Sequence, residues 1–327
     1  MGLRMIQRLI NFYKRSVSIS GKVSDVWNGI LQSLTKPLID ALMREDGAAI
    51  QDIFDDPQKA TQIMHGLDAT IMYYWGKEIT TGDFPNLARR IGVIPTQHPW
   101  NPSPDENWNP KDGIELKKKV EEVLGPIRVP NGFLVKDSSL GIPYTYFSKL
   151  SQWFTVSSLI KPAPKRVLEI GAGCGGFALA AFNNGVRDYT IIDIPAIAVQ
   201  SAYYLSKAFG EDRIWLDGEP PNSTAICRWF SCHAYGGAKS EYDLIANINS
   251  FPEMDIEQRD EYMRFIHECL SSNGMFYSCN HESNMVLAGT IQDSVISSVK
   301  RHGGFKMIYR APSMIRVGYM EEIFQRK

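Results

Sequence analysis

The run Val167-Leu168-Glu169-Ile170-Gly171-Ala172-Gly173-Cys174-Gly175-Gly176 passes from a short apolar stretch into a glycine loop that opens a helix. Glycines let the backbone turn tightly and let a ligand approach where a β-carbon would clash. Twenty-two residues after Gly171, Asp193 stands at the end of the next β-like run, where a carboxylate can accept both hydroxyl protons of a ribose. Strand, loop, helix, strand and acid together predict an adenosine site.

Two cofactors compete for it, because Gly171, Gly173 and Gly176 also satisfy the dinucleotide fingerprint. Glu169 discriminates. An acid two residues before the first glycine would repel a pyrophosphate, whereas a ligand carrying an ammonium and a sulfonium gains from it. S-adenosylmethionine carries both cations. The YxxxK pairs that a short-chain dehydrogenase needs are misplaced: Tyr73 and Lys77 precede the glycine loop, while Tyr203 with Lys207 and Tyr235 with Lys239 follow it too closely. The residues favour the methyl donor.

The back half, roughly residues 140 to 327, resembles the class I S-adenosylmethionine-dependent methyltransferases. Glu169, Gly171, Gly173 and Gly175 match that family's E-x-G-x-G-x-G motif, and Asp193 its ribose-binding acid. More narrowly, Ile191-Ile192-Asp193-Ile194-Pro195, Asn247 to Met254 and Phe276 to Asn280 resemble a family of sugar O-methyltransferases from bacterial polysaccharide and antibiotic clusters. The resemblance implies that Glu169 and the backbone of Gly171, Ala172, Gly173 and Gly175 hold the methionine end, with Asp193 on the ribose. It places Asp217 at the adenine amino group, Ile194 and Trp215 or Leu216 beside the adenine ring, and Asn247 among the cofactor residues.

Transfer of a methyl group to a hydroxyl needs an aligned nucleophile and a base for its proton. His281, after an expected strand end, leads, and Glu253 is second. Asn249 and Asn280 are candidates for orienting substrate hydroxyls, although both can instead bond loop backbone. His233 and Tyr146 are further acceptor-side candidates, Tyr146 closing the Gly141-to-Tyr146 segment ahead of the core. Asn249-Ser250-Phe251-Pro252 differs from the N-P-P-Y motif of amine and amide methylases. No acidic pair shows metal-ligand spacing, and the six histidines are scattered, so no metal is expected.

Positioning these residues requires an α/β frame. From Arg166 onward, β-like runs alternate with helical ones and predict a Rossmann-like, mostly parallel sheet of seven strands closed by an antiparallel hairpin over Phe305 to Arg310 and Ser313 to Phe324. Residues 1–140 read as a mainly helical N-terminal region for oligomer contacts and a substrate lid, ahead of a methyltransferase domain over 141–327. Between Thr81 and Asp112 six prolines are expected to break regular structure around His98, Trp100 and Trp108. The first 22 residues form a basic amphipathic pattern, read as a helix packed on its own domain or on a second subunit ahead of a membrane-surface helix.

The 327 residues are 44% hydrophobic and 22% charged with a net charge of −1, so no cationic field favours nucleic acid. No apolar run is long enough to span a bilayer, and five cysteines without a CxxC pair suggest reduced thiols in a cytoplasmic protein. The expected function is O-methylation of a sugar or glycosylated small molecule, as in natural-product biosynthesis, by a possible homo-oligomer. The alternatives are an N-methyltransferase or other small-molecule methyltransferase, and a non-catalytic methyltransferase-like subunit.

Overall fold

The computed structural model describes residues 3–19, 21, 23–56, 59–60, 83–93, 113–127, 144–282, 285–287, 290–313, 316 and 318–327. Its front half contains α1 (Leu3–Ser18), α2 (Asp25–Ser33), α3 (Lys36–Met43), α4 (Gly47–Asp55), α5 (Asp83–Arg90) and α6 (Gly113–Leu124). Helix α7 (Tyr144–Leu159) leads into β1 (Arg166–Ile170), α8 (Gly176–Asn183), β2 (Asp188–Asp193), α9 (Pro195–Phe209), β3 (Ile214–Leu216), β4 (Cys227–Ser231) and β5 (Tyr242–Ile248). The chain then forms α10 (Ile256–Cys269), β6 (Leu270–His281), a small pair β7 (Met285–Leu287) and β8 (Thr290–Gln292), α11 (Val295–His302), β9 (Phe305–Pro312) and β10 (Tyr319–Arg326).

The main sheet has eight strands in the order β3-β4-β2-β1-β5-β6-β10-β9. Strands β1 to β6 pair in parallel, while β10 runs antiparallel to both β6 and β9. This is the expected Rossmann-like α/β architecture with one strand more than the sequence pattern indicated. The extra strand is β4, whose five residues lie between a Pro-Pro-Asn turn and the Gly236-Gly237 pair and show no clean alternation. The order reverses at β1, between β2 and β5, which opens a crevice beyond the strands' carboxyl ends.

Alternate residues of the central strands serve two cores. Val167, Ile191, Leu244 and Ala246 face α7, α8 and α9, while Leu168, Ile170, Ile192 and Ile245 face α10 and α11. The front helices add to the first face only. In α1, Met5, Ile6, Leu9, Ile10, Phe12 and Tyr13 are all buried in the same cluster as Tyr203, Tyr204 and Leu216. Burying six such side chains contributes on the order of 10 kcal/mol before conformational entropy is subtracted. The apolar stripe of the basic helix is thus spent within the chain's own core.

Its basic face is partly spent as well. Arg8 forks onto Glu219 at 2.6 and 2.8 Å and also donates to the Glu211 and Ile214 carbonyls. Further along, Arg90 on α5 pairs with the buried Glu321 of β10 and donates to Ser151 and Thr155 of α7. Helix α5 itself corrects the reading of residues 81–112 as unbroken loop: Pro85 sits in its first turn, where its missing N–H has no intrahelical partner to lose. His98, Trp100, Trp108 and Gly141 to Pro143 lie outside the described residues.

Candidate functional site

The loop from β1 to α8 is built on three left-handed glycines, Gly171, Gly173 and Gly175, with φ of 75°, 56° and 80°. At Gly171 the need is double, since a Cβ there would also collide with the Ser250 hydroxyl. The loop leaves the N-terminus of α8 facing the crevice, where unpaired N–H groups favour an anionic or polar ligand group. Asp193 closes β2 beside it. Its carboxylate accepts the Gly173 N–H at 3.0 Å and the Ile194 N–H at 2.7 Å. Burial nonetheless pushes Asp193 up to about 7, against these backbone bonds.

Glu169, fully buried on β1, accepts the Tyr189 hydroxyl at 2.8 Å through Oε2. Its Oε1 has no hydrogen-bond partner among the described residues. Lys149, from α7, is the charge that faces it. Burial drives both groups toward their neutral forms, Glu169 upward and Lys149 downward, and each partly offsets the other. Lys149 was not singled out in the sequence, although it is the one basic residue between Tyr144 and Ile160. A lone lysine in an aromatic helix was the available signal.

A clamp of amides and hydroxyls fixes the opposite wall. Asn247 Nδ2 donates to the Ile170 carbonyl and to Ser250 Oγ, while its Oδ1 accepts the Phe251 N–H. Asn280 Nδ2 donates to Asn247 and Ser278, and its Oδ1 accepts the Ser250 N–H. Both side chains are buried and engaged, so they brace the crevice rather than reach into it.

Beyond the clamp lies a cluster of titratable groups. Asn249, held at a positive φ of 58°, accepts the Tyr319 hydroxyl at 2.5 Å. Arg316 stacks on the Tyr319 ring at 3.9 Å and donates to its hydroxyl at 3.0 Å. His281 pairs in register with Tyr319 and meets its ring edge-on. Burial and the Arg316 charge lower the His281 pKa, which leaves the imidazole neutral at pH 7. Glu253 follows in a single turn, Phe251–Glu253, and its Oε2 accepts the Trp27 indole N–H from α2 at 3.0 Å. Burial pushes Glu253 up to about 7, opposed by that bond and by Arg316. Arg316 and Trp27 were not anticipated.

The residues expected beside the adenine lie at the edge of the sheet. Trp215, Leu216 and Asp217 belong to β3 or its end, which β4 separates from β2. Leu216 is buried, the Trp215 indole donates to the Glu219 and Pro220 carbonyls, and Asp217 lies 3.7 Å from Arg15. The strand beside β2 is β4, whose end presents Ser231, Cys232 and His233; the Cys232 N–H bonds the Asp193 carbonyl at 2.8 Å. His233, lowered in pKa chiefly by burial, lies against Gly21 after α1. Tyr146 is buried between α7 and α8, where its hydroxyl accepts the Asn183 amide at 2.8 Å. Ile194 remains at the crevice as the residue preceding α9.

Among the described residues no group of three metal-ligating side chains is placed to hold an ion, and no helix is long and apolar enough to cross a membrane.

The sequence matches no protein-family profile and no curated relative. Solved structures do resemble the chain. The mitomycin 7-O-methyltransferase MmcR aligns at 12% identity with a TM-score of 0.41, over 55% of this chain and 57% of that one. The glycopeptide N-methyltransferase MtfA aligns at 12% identity and 0.41 over 55% and 90%. The CcbJ methyltransferase from Streptomyces caelestis aligns at 11% identity and 0.39 over 55% and 89%. MtfA has also been solved with S-adenosyl-L-methionine and with sinefungin.

Proposed function

We propose that this chain is an S-adenosylmethionine-dependent O-methyltransferase acting on a hydroxyl of a sugar or glycosylated small molecule. The observation that carries the reading is Glu169. It is a buried carboxylate beneath the glycine loop with one oxygen unpartnered among the described residues. A cationic ligand offsets the cost of that burial, whereas a pyrophosphate would add to it. The donor fits the other groups as well: Asp193 retains lone pairs for ribose hydroxyls beyond its two backbone bonds, and the end of β4 offers Cys232 and His233 beside it.

When bound, S-adenosylmethionine supplies an electrophilic methyl group for in-line displacement. The chain's own part is to align the acceptor oxygen and to take its proton as the new bond forms. His281 and Glu253 are the side chains with that capacity on the acceptor side, and Asn249 with Tyr319 lies between them. Gly21, in the connection from α1 to α2, bears on His233 and Trp27 of α2 on Glu253, which supports a lid role for the helical region. The uncharged acceptor class agrees with the near-zero net charge.

Calorimetric titration tests the first step. S-adenosylhomocysteine and S-adenosylmethionine are expected to bind and NAD to give no heat; binding of NAD alone overturns the reading. Mass spectrometry of a panel of glycosides incubated with the donor tests the second, with a methyl gain lost on mild acid release of the sugar as the expected signature.

A further inference from the structure

The α/β half does not complete the acceptor side of the crevice by itself. Glu253 has a rigid backbone: it lies in a tight turn whose N–H groups bond the Ser250 and Phe251 carbonyls, behind the Asn247–Asn280 clamp. Its carboxylate, by contrast, receives one side-chain hydrogen bond among the described residues, and the donor is Trp27, 226 positions earlier. Trp27 is itself fixed. It sits in the first turn of α2, its N–H 3.5 Å from the hydroxyl of Ser24, the residue capping that helix. The other groups facing Glu253 are Arg316, which favours its ionised form, and Asp193, which opposes it, with the Tyr319 phenol alongside.

We infer that Trp27 is a positioning residue: from a helix outside the α/β half, its indole N–H orients the Glu253 carboxylate toward the crevice as the proton acceptor for the transferred methyl's partner hydroxyl. This rests on the methyl-transfer reading and adds to it that the N-terminal layer belongs to the reactive site. The indole serves where a lysine or arginine would not. A neutral donor fixes the rotamer without pinning the carboxylate permanently in its ionised form, so the group can both accept and release a proton near neutral pH.

The test uses the full chain, labelled at tryptophan indole nitrogens and glutamate carboxyl carbons, and followed by NMR between pH 5 and 9. The Trp27 indole resonance is expected to titrate with the Glu253 carboxyl and to become flat in Glu253→Gln. In Trp27→Phe, which keeps the ring and removes the N–H, the Glu253 midpoint is expected to rise by roughly half to one pH unit. A pH-independent indole resonance in the wild-type chain, or an unmoved midpoint in a folded Trp27→Phe, overturns the inference. If Trp27→Phe does not fold, the Glu253→Gln comparison alone decides. Addition of S-adenosylhomocysteine separates the two levels. Calorimetric binding that leaves the Trp27 resonance and the Glu253 midpoint unmoved removes the pair from the site. Absence of binding refutes the methyl-transfer reading, while the titration still decides whether Trp27 sets the state of Glu253.

Discussion

The α/β half and the helical layer contribute to the same crevice by different means. In the α/β half, position is written into the backbone: three left-handed glycines, a strand end and an amide clamp place Asp193 and the Glu253 turn. The helical layer acts through side chains and packed contacts at long range, as when Trp27 meets Glu253, Gly21 covers His233 and Arg90 meets Glu321. Damage to the first kind should abolish binding, and damage to the second should loosen or retune it. The exception is the largest expected effect of all.

Arg90 breaks the comparison, because this side chain of the helical layer is as deeply committed as any strand residue. It is 10% exposed against 1% for Glu321, and Tyr277 and Thr155 bond the same carboxylate. Arg90→Met leaves that carboxylate buried without its cation, and such losses cost about 3–5 kcal/mol. A urea melt should therefore show the whole chain destabilised by that order. A melt in which only front-half signals move would mean that the two regions fold apart.

Gly171→Ala comes next. The added methyl group meets Ser250 at a φ that side chains rarely adopt, a combination worth about 2–4 kcal/mol. Donor binding by calorimetry should vanish while the far-ultraviolet spectrum keeps its helical content. Retained affinity would show that the loop does not touch the ligand.

Asp193→Asn sharpens the contrast between binding and stability. Losing a charged acceptor for two hydroxyls should weaken donor affinity by roughly ten- to a hundred-fold. Stability should move the other way with pH. The folded Asp193 titrates at about 7, above its unfolded value, so the folded state binds more protons in between and the wild type loses stability as pH rises from about 4 to about 7. The asparagine variant lacks this slope. Relative to wild type it should gain stability between pH 5 and pH 7.5, by about 2–3 kcal/mol. An equal stability difference at both pH values would mean that Asp193 is not raised.

How much of this was legible follows the same division. The glycine loop and Asp193 could be read because the chemistry is local: the loop, the helix start and the acid fall within one βαβ unit. The parallel sheet was legible from period and alternation, but β4 was not, since five residues between turns carry too little pattern. Missing that strand left Trp215, Leu216 and Asp217 read as neighbours of β2, where β4 stands. Arg316 and Trp27 were invisible for another reason, and Lys149 showed only as a lone lysine in an aromatic helix. The Trp27–Glu253 bond and the Lys149–Glu169 pair join residues distant in sequence, and periodicity shows that a helix has a buried face without showing what it meets. Asn247 and Asn280 could not be ranked from sequence, because an amide at a strand end suits a ligand and a loop brace equally.

The smallest expected effect concerns α1, whose cations the sequence could not rank. Lys14 pairs with Glu45, both side chains about half exposed and both in the helical layer. Arg8 crosses to the α/β half, where a carboxylate and two backbone carbonyls share its guanidinium. An exposed pair yields at most a fraction of a kcal/mol after side-chain entropy and screening. Lys14→Ala should therefore change the unfolding free energy by no more than about 0.5 kcal/mol, and less at high salt. Arg8→Ala should cost about 1–3 kcal/mol, because it strips charge-assisted bonds from partly buried acceptors. Equal costs would mean that α1 is held by its apolar stripe alone, and that its positive charges do not fix how the helical layer sits on the sheet.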